Sequence, residues 1–170
     1  MNHVASVGSW SELYVMLGTS SAALIGLLFV ATSLHLKAMV DHPVLRTRSR
    51  NLTLHLVVML VQATAVLTPQ PLRSLGIEII IVNLCGLSLP LTFLYRTIFR
   101  PARRRVKGSG FSLYMGIAYI LGYAAGIVGG VALTQALLWG LYLVTFSNAI
   151  FFVLVILNGW KLMLGIQESE

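Results

Sequence analysis

The chain has 170 residues, of which 57% are hydrophobic and only 10% are Asp, Glu, Lys or Arg. Because about a quarter of the residues in a soluble domain are charged, this composition excludes a water-soluble globule and predicts an all-α integral membrane protein. No nucleic-acid-binding motif accompanies the net charge of +7, so the sequence predicts no nucleic-acid partner.

A helix needs about 20 mostly apolar residues to cross a bilayer. Five stretches meet this requirement, in chain order residues 13–34, 52–68, 75–95, 112–132 and 137–160. The second is the shortest and contains His55 and Gln62. If it were re-entrant, the count would fall to four. The connections are too short for a further folded unit, so the sequence predicts a single membrane domain over residues 1–170.

Lysine and arginine predict the orientation, because they concentrate in cytoplasmic loops. They follow the first and third stretches and are scarce in the other connections. This alternation places the N-terminus outside and the C-terminus inside. We expect both basic loops to lie against anionic lipid headgroups, and a specific ligand is the alternative. The arginines concerned are Arg46, Arg48 and Arg50 in the first loop and Arg103, Arg104 and Arg105 in the second.

Small residues recur every four positions in the first and fourth stretches. Such faces let helix backbones approach closely. Either these two stretches cross within one chain, or one of the faces packs against a second copy. We favour a homo-oligomer, with a larger membrane protein as the alternative partner. The faces comprise Gly18, Ala22 and Gly26, and Gly122, Gly126 and Gly130.

Polar residues within the apolar stretches are the best functional candidates, because lipid offers them no hydrogen-bond partners. Gln62, Asn83 and Asn148 fall at nearly the same predicted depth. They could line a route for a small substrate or ion in a channel or carrier. The structural alternative, which we favour, is interhelical hydrogen bonding worth about 0.6–2 kcal/mol for each residue.

Cofactor chemistry has only slight support. His35 and His55 could be brought together, and imidazoles bind haem and transition metals. No carboxylate accompanies them to orient the rings, so the sequence predicts no cofactor and no metal. Gly-x-Ser-x-Gly, HExxH, CxxC and P-loop motifs are absent. We therefore assign no catalytic residue, and we interpret the lone Cys85 as a small apolar core residue.

Trp10, the small-residue run at residues 18–35 and the turn at residues 67–71 resemble small multi-pass bacterial membrane proteins of uncharacterised function. Some of those proteins are labelled "modulator of FtsH protease". The resemblance covers about 60 residues. It implies a bacterial inner membrane and transfers no catalytic residue. Of the functional hypotheses, a non-enzymatic membrane module ranks first, a small channel or carrier second, and a haem or metal redox subunit last.

Overall fold

The computed structural model describes residues 10–99 and 109–167, and within them it is helical and contains no strand. The helices are α1 (Ser11–Leu34), α2 (Leu36–Asp41), α3 (Pro43–Leu67), α4 (Leu72–Phe99), α5 (Ser109–Thr134) and α6 (Gly140–Gln167). The predicted all-α class is confirmed.

Five of these helices are long and apolar enough to cross a membrane, which confirms the predicted count. The main difference lies in the second span, which begins at Leu45 because α3 already begins at Pro43. Proline suits the first turn of a helix, where a backbone N–H would have no partner within the helix. The spans are Ser11–Leu34, Leu45–Leu67, Leu72–Thr92, Tyr114–Thr134 and Gly140–Met163.

The early start of α3 corrects the prediction of a basic loop after the first span. Arg46, Arg48 and Arg50 lie within the first eight residues of α3, which follows the short helix α2. A helix fixes which side each arginine faces, because residues four apart share a face and residues two apart do not. The second predicted basic loop, with Arg103, Arg104 and Arg105, lies outside the described residues.

The chain divides into two compact units. The first comprises Met1–Gln70 and Val155–Glu170, and the second comprises Pro71–Leu154. In the first unit, α1 and α3 pack antiparallel, because Gly18 near the start of α1 meets Ala63 near the end of α3. The buried residues of α1 are Tyr14, Gly18 and Ser21, whose spacing of four and three places them on one face of the helix.

In the second unit, α4 and α5 are also antiparallel. Gly76 early in α4 meets Gly130 late in α5, whereas Gly86 further along α4 meets Tyr123. The turn from α5 to α6 has the hydrogen bonds of a Schellman motif, including Leu137 N–H to the Ala132 carbonyl at 3.0 Å. Ala136 has a φ of 61° there, a left-handed conformation in which glycine is more usual. The motif ends α5 sharply, so α6 can return along it.

Candidate functional sites

The three predicted amide residues are all buried: Gln62 and Asn83 are 0% exposed and Asn148 is 1% exposed. Asn83 Nδ2 donates to the Ile79 carbonyl at 2.7 Å, and Asn148 Nδ2 donates to the Val144 carbonyl at 3.0 Å. These bonds join each side chain to its own helix. Gln62 belongs to the first unit, whereas Asn83 and Asn148 belong to the second. A common patch of all three amides remains a prediction.

A glycine makes room for one of these amides between two helices. A Cβ atom added at Gly126 of α5 would collide with the side-chain amide of Asn83 on α4. The missing side chain of Gly126 therefore lets the Asn83 amide lie against the α5 backbone. This contact explains why a polar residue and a glycine occupy facing positions inside the second unit.

A serine beside Asn148 joins two helices directly. Ser147 Oγ on α6 donates to the Gly122 carbonyl on α5 at 2.7 Å, and Ser147 is 0% exposed. The Ser147 hydroxyl thus gives the Gly122 carbonyl a second hydrogen-bond donor. This carbonyl lies one helical turn from Gly126. The bond is of the interhelical type that the sequence suggested for the amides.

We expect Ser147→Ala to lower the free energy of unfolding by about 0.6 kcal/mol, and by no more than about 1.7 kcal/mol, as for other hydrogen bonds between membrane helices. The matched control is Ser88→Ala, because the exposed Ser88 donates to the Cys85 carbonyl of its own helix at 2.7 Å. Unfolding by sodium dodecyl sulfate in mixed micelles measures both. If Ser147→Ala and Ser88→Ala were equally stable, the hydrogen bond between α5 and α6 would not stabilise the fold.

An aromatic cluster lies next to this bond. The Tyr123 and Phe151 rings have centroids 4.5 Å apart, and those of Tyr119 and Phe151 are 6.2 Å apart. Phe151 fills the space beside Gly122, where an added Cβ would lie 2.7 Å from the ring. The predicted face of Gly122, Gly126 and Gly130 is thus occupied by residues of the same chain, namely Phe151, Asn83 and Ile80 in that order.

The corresponding face of α1 is occupied at one end only. A Cβ added at Gly18 would lie 3.3 Å from Ala63 Cβ, whereas one added at Gly26 would meet no atom within 4 Å. Ala22 and Gly26 are exposed. Residues four apart turn by about 40° around a helix, so Gly26 is rotated by about 80° from Gly18. The small residues therefore turn from α3 to the outer surface of the chain.

The three histidines in the described part of the chain occupy the end of α1 and two positions in or beside α3. His35 follows the last residue of α1, His42 precedes Pro43, and His55 is buried within α3. Among the described residues, no group of three or more His, Cys, Asp or Glu side chains could hold a metal ion. Cys85 is exposed, so its interpretation as a core residue is wrong. The apolar surroundings of a membrane allow a thiol to face outward there.

These features define a helical protein with five helices long and apolar enough to cross a membrane, in which the three predicted amide residues are buried. Comparisons with protein-family models, with curated proteins and with solved structures found no match.

Proposed function

We propose that the protein is a non-enzymatic membrane module that self-associates through the outward face of α1. The observation that carries the proposal is the open space at Gly26, next to exposed Ala22 and Ala23. Small residues at such positions let the backbone of a second helix approach closely, and close packing drives association between helices in lipid.

The low burial of α1 supports this assignment. Only 17% of the apolar part of α1 is buried within the chain, compared with 50% for the span Tyr114–Thr134. A Cβ added at Gly122, Gly126 or Gly130 of α5 would collide with a side chain of the same chain. The small residues of α1 from Ala22 to Gly26 remain available for a second copy.

The test is Gly26→Leu, which adds a side chain where the chain itself has no atom within 4 Å. We expect this variant to fold normally and to associate about tenfold or more weakly, which corresponds to about 1.4 kcal/mol. Förster transfer between copies labelled at the N-terminus, reconstituted over a series of protein-to-lipid ratios, measures the association constant.

Gly159→Leu is the matched control. Gly159 also lies in the first unit, within the span Gly140–Met163, and has no atom within 4 Å of an added Cβ. Its neighbours four residues away are Val155 and Met163, so it belongs to no small-residue face. We expect Gly159→Leu to associate like the unmodified chain. If the two variants associate equally well, the α1 face is not the contact surface.

The other elements of the proposal come from the sequence. The resemblance of residues 10–71 supports a bacterial inner membrane, and the distribution of Lys and Arg supports an outside N-terminus. A larger membrane protein is the alternative occupant of the α1 face. The bonds of Asn83 and Asn148 to their own helices support a structural role for the amides over a role in lining a substrate route.

A further inference from the structure

The first unit contains an open cleft where α1 ends and α3 begins. Its volume is about 370 Å³, and residues of α1, α2 and α3 line it. This volume lies within the range of about 300–1,000 Å³ that is usual for ligand pockets. The cleft is found where one span ends at Leu34 and the next begins at Leu45. It therefore lies at the level where a bilayer changes from acyl chains to headgroups.

Two arginines give the cleft its charge. Arg46 and Arg50 both line it, both are exposed, and they lie one turn apart on the same face of α3. Ser33 and Ser49 add hydroxyl groups, and none of the described lining residues is acidic. Guanidinium groups form charge-assisted hydrogen bonds with phosphate, often two in parallel. The polar part of the cleft is thus suited to a phosphate group.

The arginine between these two has a different role. Arg48 Nη1 donates to the backbone carbonyl of Lys161 on α6 at 3.3 Å, and Arg48 does not line the cleft. The three arginines that looked equivalent in the sequence are therefore divided by the helix into two that face the cleft and one that contacts α6.

The remainder of the lining is apolar. Phe29 is 71% exposed, and Leu36 and Val40 are each 64% exposed. A free phosphate ion would gain nothing from these side chains. A phosphate attached to an acyl chain would place its charge beside the arginines and its hydrocarbon along this apolar surface.

We propose that the cleft binds one anionic phospholipid. Arg46 and Arg50 hold its phosphate, Ser33 donates a further hydrogen bond, and an acyl chain lies along Phe29 and Leu36. The proposal rests on residence in a membrane, and the cleft lies further along α1 than the small residues at Ala22 and Gly26. It is also more specific than a general attraction of basic residues to the headgroup layer.

Native mass spectrometry of the detergent-solubilised chain tests this proposal by counting bound lipid during titration. The probe is phosphatidylglycerol, and phosphatidylcholine with the same acyl chains is the neutral comparison. We expect one tight phosphatidylglycerol site for each chain. We expect Arg46→Gln combined with Arg50→Gln to weaken it about tenfold or more, because hydrogen bonds to charged groups are the strong ones.

The control is Lys37→Gln combined with Arg48→Gln. It removes the same number of positive charges near the same end of α1, from residues that do not line the cleft. We expect it to retain phosphatidylglycerol affinity. If Arg48→Gln prevents folding, as judged by circular dichroism, the single variants Lys37→Gln and Arg50→Gln give the same comparison. Equal losses for lining and non-lining residues would overturn the proposal in favour of general surface attraction.

Competition with inorganic phosphate distinguishes the two sources of the phosphate group. We expect millimolar phosphate to leave bound phosphatidylglycerol in place, because it cannot use the apolar lining. Displacement of the lipid by inorganic phosphate, or equal binding of phosphatidylcholine, would contradict an anionic phospholipid as the ligand.

Discussion

Replacement of Gly76 by alanine should lower the free energy of unfolding by about 1–3 kcal/mol, the usual range for overpacking a filled interior. The added Cβ would lie 2.6 Å from the Gly130 carbonyl oxygen and 2.7 Å from the Thr134 backbone nitrogen. Both atoms belong to the α5 backbone, so no side-chain rotation can relieve the contact. Helices α4 and α5 would have to move apart along this part of their interface.

Gly159→Ala is the control for the intrinsic effect of the substitution. No atom lies within 4 Å of a Cβ at Gly159, so we expect no loss of stability and a gain of up to about 1 kcal/mol from the better helix propensity of alanine. Unfolding by sodium dodecyl sulfate in mixed micelles, followed by circular dichroism, compares the two variants. If Gly76→Ala were as stable as Gly159→Ala, the backbones of α4 and α5 would not be in close contact at Gly76.

The second large effect is expected for Tyr123→Ala. Tyr123 is 0% exposed, and its ring contacts Phe151 and fills the space beside Gly86. Removing a large buried aromatic side chain from a protein core costs about 3–5 kcal/mol. We expect the lower part of this range, because lipid is itself apolar and mainly the packing contacts are lost. Tyr123→Phe keeps the ring and should retain most of the stability.

A double-mutant cycle with Gly86→Ala tests the contact itself. A Cβ at Gly86 would collide with the Tyr123 ring, so Gly86→Ala alone should destabilise the chain. In the Tyr123→Ala background, the same methyl group would enter space that the ring has left. We therefore expect the double variant to be more stable than the sum of the single effects predicts. Additivity within about 0.5 kcal/mol would show that the two positions do not interact.

The spans could be predicted from the sequence because their composition alone distinguishes them. Length and hydropathy gave all five, and the boundaries differ mainly at Leu45. The start of α3 was not predicted, because the charges of Arg46, Arg48 and Arg50 indicate a loop between two apolar spans. A helix carries them equally well, with Pro43 at its beginning.

The contacts of the glycines could not be predicted, because a spacing of four residues does not specify a partner. Successive members of such a set turn slowly around the helix. As a result, Gly122 meets Phe151 of α6 while Gly130 meets Ile80 of α4. Gly76 and Gly86 belong to neither predicted face. An added Cβ would nevertheless collide with α5 at both positions. Their role depends on the register between α4 and α5, which the sequence does not state.

The polar residues show the same limit. Their burial could be anticipated for Gln62, Asn83 and Asn148, because lipid would leave amides unsatisfied. Ser147 also makes an interhelical bond, because its hydroxyl reaches the Gly122 carbonyl, and the sequence does not specify this partner. The division of the arginines between the cleft and Lys161 likewise follows from the helical phase of α3. The helical phase depends on where α3 begins, which hydropathy and charge did not reveal.

The mass of the unmodified chain in a mild detergent tests the central proposal most directly. Sedimentation equilibrium in density-matched micelles, over a range of protein concentrations, gives the number of 18.6 kDa chains in each particle. Self-association through α1 predicts particles with more than one chain, which dissociate as the protein is diluted into excess detergent. A single chain in each particle at every concentration would contradict self-association.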